Sequence, residues 1–305
     1  MLKKLLPLIY IGGIVVIALM FSQFQPDKSA TEINAKYADS QSKFVEIDGM
    51  KVHYKIEGKG APLMLIHGTS SSLHTWDKWT EILKPHFTVV RMDIPAFGLT
   101  GAHPQNDYSI QSYASFINKF SQAVGLDTFY LAGNSLGGFI SWYYTLQYPE
   151  KVKKLILIDA AGYPRETVPA LFKIAQLPLV PDILKNFTPK FLVKKNLQQV
   201  YFDDAKITDA LVERYFELSL REGNRDAFLH RMKTVFSAHY NEIKNIKTPT
   251  LIQWGKHDTW IPLKDGNQFH KDIINSKLIV YNNAGHVPME EIPYETANDA
   301  LTFLK

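Results

Sequence analysis

Residues 131–138 read LAGNSLGG and contain a serine in the pattern G-x-S-x-G. An apolar segment typical of a buried strand, DTFYLAG (127–133), precedes this serine, and a segment with helical spacing, LGGFISWYYTLQYP (136–149), follows it. A serine at a sharp turn from a strand into a helix has its hydroxyl group exposed for nucleophilic attack. The sequence therefore predicts that Ser135 is a catalytic nucleophile.

The glycines of this pattern, Gly133 and Gly137, also allow another interpretation. A glycine-rich turn between a strand and a helix binds phosphates in nucleotide-binding folds, with the spacing G-x-G-x-x-G and an acidic residue about twenty positions later. The glycine spacing of residues 131–138 does not fit that pattern. A strained serine turn needs residues without side chains on both sides, where a Cβ atom would collide. We therefore predict that Gly133 and Gly137 form a nucleophile elbow around Ser135.

The segments around this turn alternate between strands and helices. The chain first shows a hairpin signal at Asp48-Gly49 and then further apolar runs, with helical spacing at 109–124, 138–148 and 293–304. Such runs are typical of parallel strands that are buried on both faces. The sequence predicts an α/β fold, a mostly parallel sheet with flanking helices. Its six apolar runs are PLMLIH (62–67), FTVVRMD (87–93), DTFYLAG (127–133), VKKLILID (152–159), TPTLIQWG (248–255) and SKLIVYNN (276–283).

One long interval, residues 163–247, interrupts this alternation. It contains no clear buried strand, but it includes LVERYFELSL and FLHRMKTVFSAHY at helical spacing. An insertion of this length in a regular α/β chain is better explained by a helical subdomain than by a loop. We therefore predict a helical cap over 163–247, inserted into a core made of residues 43–162 and 248–305.

The N-terminal segment differs in composition from the rest of the chain. Residues 5–21 (LLPLIYIGGIVVIALMF) carry no charge and follow two lysines, and their extension to Phe24 is long enough to cross a bilayer. The pattern predicts a transmembrane helix that anchors the chain through residues 1–24, followed by a polar linker over 25–42. The lysines favour a catalytic domain outside the cytoplasm, on the periplasmic side of a bacterial inner membrane. A cleaved signal peptide and a secreted protein are the alternative.

The overall composition excludes several functional classes. The 305 residues include 34 basic and 30 acidic residues, a net charge of +4, without a sustained basic run. This balance does not indicate a nucleic-acid partner. The chain contains no cysteine, which excludes disulfides, thiolate metal sites and cysteine nucleophiles. The sequence indicates no metal site, and it does not determine the oligomeric state.

A serine nucleophile needs a base, and the base needs an acid that orients it. His286 lies in NNAGHVPMEE after the last strand, and Asp258 lies in WGKHDTWIP after the strand before it. Loops at the carboxyl ends of parallel strands gather the sites of such folds. We predict His286 as the base and Asp258 as the acid, and Asp159, at the end of VKKLILID, stays a rival acid. The chain order Ser, Asp, His is that of one hydrolase architecture.

The fourth expected element is an oxyanion hole. Its first donor is the backbone N–H of the residue after the nucleophile, which is Leu136. The second donor belongs to the loop after the strand PLMLIH, which reads HGTSSSLHTW, and Thr69 is the natural candidate. The histidine before this glycine, His67, is predicted to shape the loop. The sequence thus predicts two backbone donors next to Ser135.

From Lys43 to Lys305 the chain resembles an α/β-hydrolase of the serine esterase and lipase type. The resemblance rests on the segments HGTSSS, MDIPAFGLT, GNSLGG, WGKHD and AGHVPMEE. A narrower similarity, to membrane-associated or secreted cold-adapted bacterial lipases, rests on GNSLGG, IDAAGYP and GHVPMEE…TANDA. It implies an eight-stranded sheet with a helical cap and hydrolysis of small-molecule or lipid acyl esters through an acyl-enzyme, without a cofactor. The oxyanion loop departs from the family by lacking the HGGG run of one lipase subgroup.

The same resemblance leaves other functions open. Carbon–carbon bond hydrolases and thioesterases share this triad, and cofactor-free haloperoxidase activity is a further possibility within the family. Members with an aspartate nucleophile are disfavoured because position 135 is serine. A hypothesis of a different class is a non-catalytic ligand-binding protein that keeps the pocket of the fold.

Overall fold

The computed structural model describes residues 24–164, 188–234 and 239–305. Its centre is one eight-stranded sheet in the order β1-β2-β4-β3-β5-β6-β7-β8. Strands β3 to β8 are parallel to one another, and β2 is antiparallel to both β1 and β4. The prediction of a mostly parallel sheet is confirmed. The strands are β1 (Lys43–Ile47), β2 (Met50–Gly58), β3 (Ala61–Ile66), β4 (Phe87–Met92), β5 (Phe129–Asn134), β6 (Val152–Ile158), β7 (Thr250–Gly255) and β8 (Ser276–Tyr281).

Helices cover both faces of the sheet, as the α/β prediction requires. The described helices are α1 (Ala30–Tyr37), α2 (Asp77–Leu83), α3 (Ile110–Ala123), α4 (Leu136–Gln147), α5 (Lys190–Val200), α6 (Asp209–Ser219), α7 (Asn224–Arg231), α8 (Leu263–Asp272), α9 (Pro288–Glu291) and α10 (Pro293–Leu304). Short 3₁₀ turns lie at Leu73–Trp76, Asp204–Lys206 and Tyr240–Asn245.

The strands divide their side chains between two hydrophobic cores. In β3, Met64 and Ile66 face the core under α3, α4 and α8, whereas Leu63 and Leu65 face the core under α2 and α10. This division follows from the two-residue period of a strand. It explains why the parallel strands read as continuous apolar runs in the sequence.

The interval predicted as a helical cap, residues 163–247, contains α5, α6 and α7. No strand lies in the parts of this interval that the structure describes. Residues 165–187 and 235–238, where the rest of the predicted cap falls, lie outside the described residues. The boundaries of the cap therefore stay a prediction.

The predicted membrane anchor, residues 1–24, lies outside the described residues except for Phe24. In the ranges that the structure does describe, every helix is too short or too polar to cross a bilayer. The anchor and the placement of the catalytic domain outside the cytoplasm stay predictions.

The segment predicted as a polar linker, residues 25–42, has more structure than a linker implies. It contains α1, whose first turn is capped by the Ser29 hydroxyl, and Ile33 is buried against Leu99 and Leu218. The backbone N–H of Lys28 also donates to the carbonyl of Leu220 at 2.7 Å. These partners lie far away in the sequence. Because the segment has only one large buried apolar residue, its sequence resembles that of a linker.

A buried carboxylate on α6, Glu217, fastens this segment to the cap helices. Lys28 Nζ and Tyr37 OH donate to its two oxygens at 2.9 and 2.5 Å, and Lys36 forms an ion pair with it. Burial by itself would raise the pKa of Glu217, but the hydrogen bonds from these three side chains outweigh burial and lower the pKa to about 2. The charged carboxylate is therefore the form that stabilises the contact.

We expect the substitution Glu217→Gln to lower the free energy of unfolding at neutral pH by about 2 kcal/mol. A carboxyl whose pKa falls on folding stabilises the protein above its unfolded pKa, and this contribution disappears as the pH falls towards the folded pKa. The difference between wild type and variant should thus shrink between about pH 5 and pH 2. Denaturant unfolding over this pH range measures it.

The control is Glu213→Gln on the same helix, where an exposed ion pair with Lys190 is removed. Exposed pairs contribute about 0 to 1 kcal/mol, so this variant should differ little from wild type. A pH-independent loss in Glu217→Gln would contradict the electrostatic explanation.

Candidate active site

Ser135 occupies a strained turn between β5 and α4. Its backbone has φ 55° and ψ −115°, a conformation that a residue with a side chain rarely adopts, and the surrounding hydrogen bonds hold it there. The Ser135 N–H donates to the carbonyl of Ile158 at 3.1 Å, and the Ser135 carbonyl accepts from Phe139 and Ala161 at 3.0 and 3.1 Å. The half-buried serine is therefore at the tip of a strand-to-helix turn, where the sequence placed it.

The two glycines of the elbow have no space for a side chain. A Cβ atom on Gly133 would lie 2.2 Å from the carbonyl oxygen of Gly137, and one on Gly137 would lie 2.1 Å from the carbonyl oxygen of Ile66. Both distances are far shorter than a van der Waals contact, and the obstacles are backbone atoms that cannot move away. Neither glycine has a positive φ angle. Glycine is needed at these two positions because the backbone of another segment approaches too closely for a side chain.

Asp258 and His286 form a buried, hydrogen-bonded pair at the carboxyl ends of β7 and β8. His286 Nδ1 lies 2.6 Å from Asp258 Oδ2. The other oxygen of Asp258 accepts hydrogen bonds from the N–H groups of Trp260 and Ile261, at 2.7 and 2.8 Å. These bonds fix the carboxylate so that it holds the imidazole with the Nδ1 proton towards the acid and Nε2 available as a base.

Backbone contacts place the His286 loop against the elbow. The side-chain amide of Asn134, the residue before Ser135, donates to the carbonyls of His286 and Ile158 at 3.0 and 3.2 Å. The backbone N–H of His286 donates to the carbonyl of Val200 in α5 at 2.7 Å. Sequence reasoning missed Asn134, although its place inside the G-x-S-x-G pattern was a signal.

The rival acid, Asp159, lies beside this pair without bonding to the histidine. Its Oδ1 accepts the N–H of Gly255 at 2.9 Å, while its buried Oδ2 has no hydrogen-bond partner among the described residues. Oxygen or nitrogen atoms of Asp159, Asp258 and His286 all lie within 4.8 Å of one another. Burial first, and then the negative charge of Asp258, raise the pKa of Asp159 well above its ordinary value. Two buried carboxyls this close cannot both be charged, so Asp159 is the one that favours the neutral form.

The predicted oxyanion loop after β3 packs directly against Ser135. A Cβ atom on Gly68 would lie 3.1 Å from the Ser135 Cβ, which places the following residue, Thr69, next to the elbow. His67 is fully buried and forms hydrogen bonds with the backbone: its Nε2 accepts from the Ile94 N–H at 3.1 Å, and its Nδ1 lies 2.8 Å from the Gly68 carbonyl. Burial lowers the pKa of His67, so the neutral ring donates from Nδ1 and shapes the loop as predicted.

A third buried aspartate, Asp93 in the MDIPAFGLT segment, supports this loop. Asp93 Oδ1 accepts the N–H of Leu73, and its Oδ2 accepts the N–H of Leu99, both at 2.7 Å. A Cβ atom on Gly98 would lie 2.1 Å from the Asp93 carboxyl carbon. The MDIPAFGLT segment therefore supports the loop. Among the described residues, no hydrogen bond joins Asp93 to Ser135.

Two acidic residues that the sequence did not single out, Glu290 and Glu291, connect the His286 loop to the cap. Glu290 accepts hydrogen bonds from Tyr201 OH at 2.6 Å and Tyr215 OH at 2.7 Å, and Tyr215 OH lies 3.3 Å from Ser71 Oγ in the oxyanion loop. Glu291 accepts the Gly285 N–H at 2.6 Å. The signal that could have found them is a pair of carboxyls directly after the apolar HVPM segment.

A cavity opens between the oxyanion loop and the cap helices α5, α6 and α7. It is open to solvent, and its walls are mostly apolar side chains. Ser70 and Ser71 line it on the side of the oxyanion loop. The cavity therefore lies beside the predicted oxyanion loop, and Ser135 and His286 are not among the described residues that line it.

The only described cluster with three metal-ligating side chains is Asp159, Asp258 and His286. In that cluster the Nδ1 atom of His286 is already hydrogen-bonded to Asp258. A buried imidazole held by a carboxylate in this way is the arrangement of a general base, and it does not need a metal ion to be satisfied.

The chain matches known proteins over most of its length. Residues 61–293 match the family model described as alpha/beta hydrolase fold. A 2-hydroxy-6-oxo-2,4-heptadienoate hydrolase of Pseudomonas putida is 26% identical, over 84% of this chain and 92% of that protein. Lipase 3 of a Moraxella species is 27% identical, over 92% of this chain and 87% of that protein. A crystal structure of a membrane phospholipase A, a bacterial virulence factor, is 26% identical with a TM-score of 0.75 and covers 100% of this chain and 98% of its own.

Proposed function

The chain belongs to the alpha/beta hydrolase fold family, and from this premise we propose that it hydrolyses carboxylic esters through an acyl-enzyme on Ser135. The observation that carries the proposal is the 2.6 Å contact between His286 Nδ1 and Asp258 Oδ2, below a strained serine elbow. A serine in a structural turn would need neither the strain nor the buried pair. In this proposal Ser135 is the nucleophile, His286 is the base and Asp258 is the acid.

In the proposed reaction His286 Nε2 takes the proton of the Ser135 hydroxyl as its oxygen attacks the ester carbonyl. The negative charge that forms on the carbonyl oxygen is stabilised by the backbone N–H groups of Leu136 and Thr69, at the start of α4 and in the oxyanion loop. The imidazolium then gives its proton to the leaving alcohol, and the acyl group stays on Ser135. Water, deprotonated by His286, releases the acid and restores the serine.

The apolar cavity beside the oxyanion loop supports esters with an acyl chain as the substrate class. Each methylene group that moves from water into such a cavity contributes about 0.8 kcal/mol. We expect kcat/KM for p-nitrophenyl esters to rise by up to about fourfold per methylene until the cavity is filled. A series from acetyl to palmitoyl esters measures this. Activity confined to acetyl and butyryl esters would exclude lipid acyl chains, and no turnover at all would contradict ester hydrolysis.

Carbon–carbon bond hydrolysis is the second candidate, because the Pseudomonas putida relative and the Moraxella lipase are almost equally similar to this chain. The compound 2-hydroxy-6-oxo-2,4-heptadienoate, for which the Pseudomonas putida enzyme is named, can distinguish carbon–carbon bond hydrolysis from ester hydrolysis. Turnover of this compound with a kcat/KM above that of the best ester would favour the second candidate. We expect the esters to be the better substrates.

A further inference from the structure

Glu290, in the short helix α9 that follows the His286 loop, is a half-buried carboxylate that accepts hydrogen bonds from three hydroxyl groups. Its Oε1 accepts from Thr75 Oγ1 and from Tyr215 OH, the latter at 2.7 Å. Its Oε2 accepts from Tyr201 OH at 2.6 Å. Thr75 belongs to the predicted oxyanion loop, Tyr201 follows α5 and Tyr215 lies in α6, so one carboxylate joins the loop, the cap and the His286 segment.

Tyr215 also connects this carboxylate to the front of the predicted oxyanion loop. Its OH lies 3.3 Å from Ser71 Oγ, and the backbone N–H of Ser71 donates to the carbonyl of Gly68 at 3.3 Å. A carboxylate is an acceptor only, so Tyr215 gives its proton to the carboxylate and its oxygen accepts from the Ser71 hydroxyl. The predicted oxyanion donor, Thr69, lies inside the turn that this bond holds.

Both tyrosine hydroxyls remain protonated donors at neutral pH. Burial first, and then the negative charge of Glu290, raise the pKa of Tyr201 and of Tyr215 far above the ordinary value. Hydrogen bonds to an ionised acceptor are shorter and stronger than those between neutral groups. The carboxylate therefore holds the predicted oxyanion loop at two points, directly at Thr75 and through Tyr215 at Ser71.

We propose that Glu290 is a positioning residue for ester hydrolysis, which fixes the predicted oxyanion loop so that the Thr69 N–H points to the carbonyl oxygen of the ester. Glu290 lies four residues after His286, so the segment that carries the base also holds the loop that carries the oxyanion donor. Such a donor is effective because it is in place before the negative charge forms. The inference rests on the proposed ester hydrolysis and adds a residue that acts through the loop.

The test uses Tyr215→Phe and Thr75→Val, which remove the two hydroxyl groups on the loop side of the carboxylate with little change of shape. Loss of an oxyanion donor lowers kcat by about 10²- to 10³-fold. We expect each variant to lower kcat on the best p-nitrophenyl ester by only about 10-fold, because the donor is misplaced and not removed. KM should stay within about twofold of wild type, because the oxyanion forms only after the ester is bound.

A trifluoromethyl ketone that resembles the tetrahedral intermediate provides a second readout. Its inhibition constant should rise by about 10-fold in both variants, in parallel with the fall in kcat. A partly unfolded preparation would lower kcat as well, but an inhibition constant does not depend on the fraction of enzyme that is active. The ketone therefore separates a misplaced oxyanion donor from a loss of folded protein.

The matched variant is Tyr201→Phe, which makes the same chemical change at the carboxylate oxygen that faces the cap. Its kcat should fall less than that of Tyr215→Phe. Glu290→Ala should lower kcat at least as much as Tyr215→Phe, whereas Glu290→Gln should restore part of the activity, because its amide oxygen can still accept from Tyr215 and Thr75. The control is Glu295→Gln, an exposed carboxyl in α10, which should behave like wild type.

Three outcomes would overturn the inference. Equal losses in Tyr201→Phe and Tyr215→Phe would mean that Glu290 stabilises the fold only. A lower kcat without weaker binding of the ketone would exclude an effect on the oxyanion donor. Wild-type turnover that persists unchanged in Tyr215→Phe and Thr75→Val would remove the inference alone, whereas the absence of any ester turnover in wild type would remove the proposed function as well.

Discussion

The Ser135→Ala variant should lose ester hydrolysis and reaction with a fluorophosphonate probe while it keeps its fold. In serine triads that act as a unit, loss of the nucleophile lowers kcat by about 10⁶-fold. Alanine keeps the Cβ atom that the strained turn already accommodates, so the thermal unfolding midpoint should stay close to that of wild type. Labelling by the probe and initial rates on the best p-nitrophenyl ester measure the loss of reactivity. Thermal unfolding measures whether the fold is kept.

The matched control is Ser112→Ala, which removes a half-buried serine hydroxyl from α3, outside the candidate site. It should be labelled and should turn over the ester like wild type. If Ser135→Ala were still labelled with a normal rate, the elbow would not contain the nucleophile. A wild-type protein that neither reacts with the probe nor cleaves any ester would instead favour the non-catalytic ligand-binding hypothesis.

The Asp258→Asn variant should lower kcat by about 10⁴-fold, whereas Asp159→Asn should stay within about 10-fold of wild type. Asparagine at 258 offers His286 Nδ1 an amide in place of a charged carboxylate, so the imidazole is neither held in the required tautomer nor stabilised when it becomes charged. Asparagine at 159 is isosteric with a neutral carboxylic acid. Its amide oxygen still accepts from Gly255, and its N–H₂ replaces the carboxyl proton.

The ratio of the two effects is the informative measurement, because the two variants make the same chemical change at carboxyls in one cluster. Steady-state kinetics on one ester, with the unfolding midpoint of each variant as the stability control, decides the roles. A large loss in Asp159→Asn with a small loss in Asp258→Asn would exchange the roles of the two acids. Equal losses would mean that the pair acts as one unit.

The sequence was sufficient to predict the strands of the core because the patterns that indicate them are local. Each of the eight strands is a short apolar run or half of a hairpin, and Asp48-Gly49 has the two positive φ angles, 51° and 78°, that such a hairpin turn requires. The serine elbow was equally local, since Gly133, Ser135 and Gly137 fall within five residues. A periodicity or a pattern of this kind does not depend on distant partners.

The sequence could not foresee the contacts made between distant segments. The segment 25–42 looked like a linker because its one buried apolar residue, Ile33 in α1, packs on the distant residues Leu99 and Leu218. The sequence analysis assigned no role to Glu290 and Glu291, although they bind the cap and the His286 loop. In each case a polar or sparsely apolar segment is buried by its partners and not by its own composition.

By itself, the sequence determined the α/β architecture and singled out Ser135 and His286 as the candidate nucleophile and base, because periodicity, motif spacing and strand ends are local features of the chain. It left two acids possible, since Asp159 and Asp258 both follow buried strands. Only the tertiary structure shows which of them contacts the histidine: it brings Oδ2 of Asp258 to 2.6 Å from His286 Nδ1 and leaves Asp159 buried beside them as the group that favours the neutral form. Which carboxyl meets an imidazole depends on distances across the sheet, and burial and charge at that point are properties of the folded chain.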